Sequence, residues 1–163
     1  MADIEPKNNI GASIAELSST RSTRVSLNAI HSGEAGLNAH RQSLLARTPK
    51  SGDWAAFPLE SLELEDTAYL TAMTGDEFAI LRGKKSDILY HGTPLHCSFQ
   101  GELFDMLMEH KLCLLGHSHP SEDVPEPSAD DRQVLLMIGQ EKSNVISART
   151  GRIVEFTTDP FEL

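Results

Sequence analysis

Every aromatic residue of this chain lies in its C-terminal two-thirds. All six Phe, both Tyr and the single Trp fall between Trp54 and Phe161, and the first fifty residues hold none. Aromatic side chains supply much of the area a core buries, so a packed domain has to be built from about residue 52 onward. Residues 1–50 carry six basic and four acidic side chains, and fourteen of them are Ser, Thr or Asn. Such a segment buries too little apolar surface to offset its ordering entropy. Residues 1–51 are therefore expected as a flexible or conditionally helical N-terminal arm, largely disordered. Leu37, Leu44 and Leu45 fall near one stripe of a helix over 35–47, although a solvated leader is the simpler expectation. Residues 52–163 are expected as one domain.

Charge sharpens this division. The whole chain of 163 residues has a formal charge of −10, but residues 51–163 hold eight basic and twenty acidic side chains, a net of −12. A phosphate-tracking surface needs a basic face, so nucleic acid is not an expected partner. No apolar run approaches the ~20 residues that span a bilayer, and residues 1–30 lack a signal peptide's apolar segment. Two cysteines, Cys97 and Cys113, are too few for a disulfide scaffold. The expectation is an acidic, soluble, cytoplasmic protein without a membrane partner.

Periodicity predicts the elements. Ser61 is placed to cap a helix that carries Leu62, Tyr69 and Met73 on one face and stops at Gly75. Glu77 to Leu81 and Asp87 to Tyr90 read as paired strands. A second helix follows Ser98, with Leu103, Phe104, Leu107 and Met108 inward. Leu112-Cys113-Leu114-Leu115 is a continuous apolar run of the kind a strand buried on both faces shows. A Pro-rich acidic loop, Ser121 to Pro127, leads to a third helix from Ser128, and strands at 144–147 and 153–156 close the chain. Helices and strands alternate, so the fold class is α/β or α+β with a mixed sheet.

The chemistry concentrates where the apolar run meets Gly116-His117-Ser118-His119-Pro120. Side chains two apart on a strand share a face, so His117 and His119 can place two imidazoles on one cation. Asp131, in the first turn of the third helix, can add a carboxylate oxygen. Two imidazoles and one carboxylate leave one tetrahedral position open, the pattern of a catalytic zinc site. Zinc lowers the pKa of bound water towards ~7, and a nearby carboxylate has to take the proton. Glu77, at the head of an apolar strand, is the best-placed base, with Glu102 as runner-up. Ser128 can donate a hydrogen bond to an oxyanion. Ser128-x-x-Asp131 is equally a capping-box start, and Asp130 is the alternative ligand if the helix is rotated. Cys113 reads as core, His91 and His96 as surface, and the loop acids Glu122, Asp123 and Glu126 as solvated. No His-Asn arrangement recommends Cys97 as a nucleophile.

His117-x-His119-Pro120, seven residues, then Ser128-x-x-Asp131 reproduces the HxHPx7SxxD signature of the JAMM (MPN+, JAB1-type) zinc metalloproteases. A chance match is expected at about one in ten million start positions. Glu77-Phe78-Ala79-Ile80-Leu81-Arg82-Gly83 resembles the family's E-x-x-x-L-x-G strand. The resemblance covers about residues 60–158. It implies a JAB/MPN-like mixed β-sheet flanked by helices, zinc held by His117, His119 and Asp131, Glu77 as general acid/base and Ser128 in the oxyanion site. Characterised members cleave peptide or isopeptide bonds, often beside ubiquitin-like modifiers. The run Leu70 to Ala79 is similar to the "LT..TG.EFA" passage of JAB-like domains linked to bacterial polymorphic toxin and phage-like systems. The Cys-Gly pair that often follows the Glu in eukaryotic deubiquitinases is Phe78-Ala79 here, which points away from ubiquitin itself. The expectation is a zinc metallopeptidase acting on a protein or peptide, either a ubiquitin-like modifier or a toxin-system protein. The alternatives are a non-catalytic JAB-fold binding module and a toxin-associated processing or effector domain, exported or cytoplasmic.

Overall fold

A computed structural model describes residues 39–161. In chain order they form α1 (Ala39–Ala46), β1 (Trp54–Pro58), α2 (Leu64–Thr74), β2 (Phe78–Arg82), β3 (Ser86–His91), α3 (Gly101–Met108), β4 (Cys113–His119), α4 (Ala129–Ile138), β5 (Lys142–Ser147) and β6 (Ile153–Thr157). The strands make one six-stranded mixed sheet, ordered β1-β3-β2-β4-β5-β6, so the fold is α+β as expected. Neighbouring strands are antiparallel except β4 and β5. A parallel pair needs a crossover connection, and α4 supplies it.

Helices cover both faces of the sheet. Successive residues of β2 alternate sides: Phe78 and Ile80 join Leu44, Tyr69 and Leu70 in the core under α1 and α2. Ala79 and Leu81 join Leu103, Leu107, Leu135 and Phe156 under α3 and α4. Burial on both faces is why the strand reads as an unbroken apolar run. Among the described residues, no helix is long and apolar enough to cross a membrane.

Two local features aim β4. A Cβ on Gly116 would meet Leu64 Cδ2 at 2.5 Å and the Asn144 carbonyl oxygen at 2.9 Å, so only glycine lets α2 and β5 approach the strand this closely. Next to it the β2–β4 register skips Leu115, since Ile80 faces Gly116 and Leu81 faces Leu114. Such a bulge kinks a strand and redirects the side chains that follow.

The core begins before the boundary expected at residue 52. α1 buries Leu44 beside Phe57 and Tyr69, and Arg41 enters with its Nε 3.5 Å from Asp66 Oδ1. An inward arginine counts as polar in any periodicity, yet its partner carboxylate makes the burial tolerable. The part of the arm expectation that falls on residues 1–38, Leu37 included, lies outside the described residues.

Strand β1 was not among the expected elements; its Pro58 sits at the sheet edge, where a missing N–H donor costs no ladder bond. α2 starts from Glu63, whose backbone N–H donates to Asp66 Oδ2 (2.9 Å), while Ser61 donates to the Pro58 carbonyl instead. Gln100, not Ser98, stands at the N-cap of α3. Met73, Met108 and Cys113 are exposed rather than packed inward. His91 is buried, stacked on Phe78 at 4.3 Å and held by Asp76 and the Pro49 carbonyl, each at 2.7 Å.

Candidate metal centre

The C-terminal end of β4 delivers His117 and His119 to one face, opposite Ala79 of β2 and Val145 of β5. Ser118 points to the other face, where its hydroxyl meets Thr71 Oγ1 (2.6 Å) and accepts from Phe78 N–H (3.0 Å). That buried pair locks the strand to α2 and β2, so the alternation of imidazoles is held rigidly.

The two Nε2 atoms are 3.1 Å apart. Asp131 Oδ2 lies 3.2 Å from the first and 3.5 Å from the second. Glu77 Oε2 stands 3.9 Å from His119 Nε2. Glu77, His117 and His119 form a buried group that can hold a metal ion. Asp131 lies closer to both imidazoles than Glu77 does to His119. Zn–N and Zn–O bonds of about 2.0–2.1 Å set donors about 3.3 Å apart at the corners of a tetrahedron. The His117–His119–Asp131 triangle has edges of that length, and the longer Glu77 contact sets this carboxylate just outside it.

The four groups stand close enough to set one another's charge. Two imidazole lone pairs and two carboxylates at these separations repel unless a proton or a cation stands among them. In the metal-free chain burial disfavours the His119 imidazolium, but its bonds to Asp131 and Glu122 and the charge of Glu77 outweigh that, raising the pKa to about 9. Burial likewise opposes ionisation of Asp131, yet His117 and His119 hold its carboxyl well below the usual carboxylate range. Glu77 goes the other way: burial, with Asp131 and Glu122 adding to it against His119, pushes it to about 7.

Asp131 is oriented by its own helix. Ser128 Oγ accepts from Asp131 N–H (3.0 Å), and Asp131 Oδ2 accepts from Ser128 N–H (2.8 Å), a reciprocal capping box. The capping and ligand readings of this pair are thus compatible in one geometry, and the Ser128 hydroxyl proton remains available. Asp130 and Glu102 are exposed and outside the group.

Glu122 has a role the composition of its loop hid. Its Oε1 accepts from His119 Nδ1 at 2.7 Å and from Glu126 N–H at 3.1 Å. A proton fixed on Nδ1 leaves the Nε2 lone pair for a metal. The loop is pinned to the turn after β5: the Ser147 hydroxyl donates to the Glu122 carbonyl, Arg149 Nε to Asp123 Oδ1 (2.8 Å) and Thr150 Oγ1 to the Asp123 carbonyl (2.6 Å). The sequence signal was a carboxylate three residues after the second His, at turn spacing. Cys97 lies near the group, but burial, with the Glu77 and Asp131 charges, pushes its thiol well above the ordinary range. It is a poor nucleophile for that reason.

The chain matches no family model, no curated protein and no solved structure.

Proposed function

We propose that this chain is a zinc-dependent metallopeptidase or isopeptidase of the JAMM type. The observation that carries the reading is the donor triangle of His117, His119 and Asp131, with edges of 3.1, 3.2 and 3.5 Å and one side open to Glu77. The signature spacing of these residues supports the same assignment. Zinc held by the three residues would supply Lewis-acid polarisation of a carbonyl and acidify water towards a pKa of ~7. Glu77 is the base: its carboxylate stands 3.9 Å from His119 Nε2, beside the donor triangle, where it can take a proton from water and return it. It passes that proton to the leaving amine. Ser128, whose oxygen accepts the cap bond, turns its own O–H towards the developing oxyanion. Glu122 keeps the His119 ring in the ligating tautomer.

Elemental analysis of the purified full chain, paired with hydrolysis of a peptide library, tests the reading. We expect about one equivalent of zinc in the wild type and in Glu77→Gln, with hydrolysis lost in the variant by a factor of about 10² or more. Wild-type turnover in Glu77→Gln defeats the general-base assignment. A purified chain that takes up no zinc favours a non-catalytic binding module.

A further inference from the structure

On the face of the sheet that carries His117, a row of residues runs across all six strands. Trp54, Tyr90, Ala79, His117, Val145 and Val154 stand opposite one another in successive pairings. Directly opposed residues share a face, and strands lie about 4.8 Å apart, so Trp54 is about 14 Å from His117. At the Trp54 end the row opens into a cleft of ≈ 230 Å³ bounded by Asp53, Trp54, Tyr90, Thr93, His96 and Leu103. Small-molecule sites run to about 300–1,000 Å³, so this one has room for a side chain and not for a whole ligand.

The cleft is built against the candidate base. Thr93 lines it, and the Thr93 carbonyl accepts from Glu77 N–H at 2.8 Å, while Gly92 N–H donates back to the Glu77 carbonyl at 2.7 Å. A Cβ on Gly92 would lie 2.5 Å from the His96 carbonyl oxygen and 3.1 Å from that of Glu77. A glycine at 92 therefore lets the backbone of His96, which lines the cleft, and that of Glu77 approach this closely. Its lining includes the exposed residues Asp53 and Trp54 and the buried, apolar Leu103. An indole face next to a carboxylate attracts a cation on an apolar stem, and the −12 balance of residues 51–163 steers a basic partner inward.

We propose that this cleft is a subsite for a lysine or arginine side chain of the peptide substrate, an assignment that rests on the hydrolase reading above. Tyr90 and Ala79, which lie between, are buried, so a bound peptide passes along the rim of the sheet; at about 3.4 Å per extended residue that puts the side chain at least about four residues from the bond that is cut.

Trp54 is the only tryptophan of the chain, so its emission reports directly on the cleft. The metal-free full chain is titrated with N-acetyl-arginine amide, N-acetyl-norleucine amide and N-acetyl-glutamate amide. A saturable change is expected with the arginine compound, about tenfold weaker with the other two. Asp53→Asn should weaken the arginine response about fivefold. Equal responses to the three amides, or an arginine response that Asp53→Asn leaves intact, overturn the assignment of a cation site. The zinc-loaded chain is then given a peptide library, and basic residues are expected at one fixed position, about four residues or more from the cut. Cleavage without that enrichment overturns the subsite and leaves the hydrolase reading standing. Arginine binding without any cleavage of the library overturns the hydrolase reading and, with it, the cleft's place in a substrate.

Discussion

Glu122 shows how much one side chain outside the donor set can govern it. Its carboxylate holds His119 Nδ1 at 2.7 Å, while the neighbouring Asp123 is spent on Arg149 at the surface. Carboxylates that orient a ligating imidazole are worth about 10–100-fold in metal affinity. Glu122→Gln is therefore expected to weaken zinc binding by about 10-fold or more in a chelator competition, and Asp123→Asn to leave it within a factor of about two. Equal affinities for wild type and Glu122→Gln would remove the orienting role. That His117, His119 and Asp131 would meet in space was legible from their spacing at a strand end and a helix start. Glu122 was not, because its role depends on how the 120–127 turn folds back. His91 escaped for a related reason: its burial is made tolerable by Asp76, fifteen residues away, and by the ring of Phe78.

At the level of elements, those that bury an unbroken apolar run were readable, and those that lean on paired charges or on edges were not. β2 and β4 are of the first kind. β1, a five-residue edge strand ending in Pro58, lacks a strong alternation. α1 packs through Leu44 and an arginine whose acceptor, Asp66, comes from α2. Leu44 is 1 % exposed, so Leu44→Ala should cost about 2–4 kcal/mol in denaturant unfolding. A change within about 0.5 kcal/mol would return α1 to the status of a solvated leader. The caps divide in the same way: Ser128 was visible from its spacing to Asp131, whereas α2 uses Glu63 with Asp66, where Ser61 was the conventional choice.

For the whole molecule, proton uptake on folding sets the pH response of the metal-free chain. Glu77 is buried, and that burial raises it to about 7. Its folded value exceeds the unfolded one, so the stability it contributes is lost as pH rises from about 4.5 through 7. Glu63 is raised as well, but water screens its exposed side chain and it contributes less. His119, raised to about 9, gives up its share between about 6.5 and 9. Asp66, Glu122 and Asp131 are lowered, against burial, mainly by their histidine contacts, and they remove stability as pH falls below about 4. Thermal unfolding in chelator should therefore peak near pH 5 and fall by roughly 10 °C or more by pH 9. Ligation by His119 requires an unprotonated Nε2, so added zinc should raise the midpoint more at pH 8 than at pH 6. A flat profile in chelator would show that the cluster is not charged in this way.

The sheet order carries one more consequence. Glu77 arrives with the β1–β3 half of the sheet, and His117, His119 and Asp131 with the β4–α4–β5 half, so the β2–β4 ladder is a seam between them. The three exposed residues 109–111, after α3, lie on the connection between the halves. A backbone cut there yields two fragments, one with the base and the other with the donor triangle. If the proposed hydrolysis holds, it would return only when the fragments rejoin, which makes this fold a natural split reporter whose signal is the closing of the β2–β4 ladder.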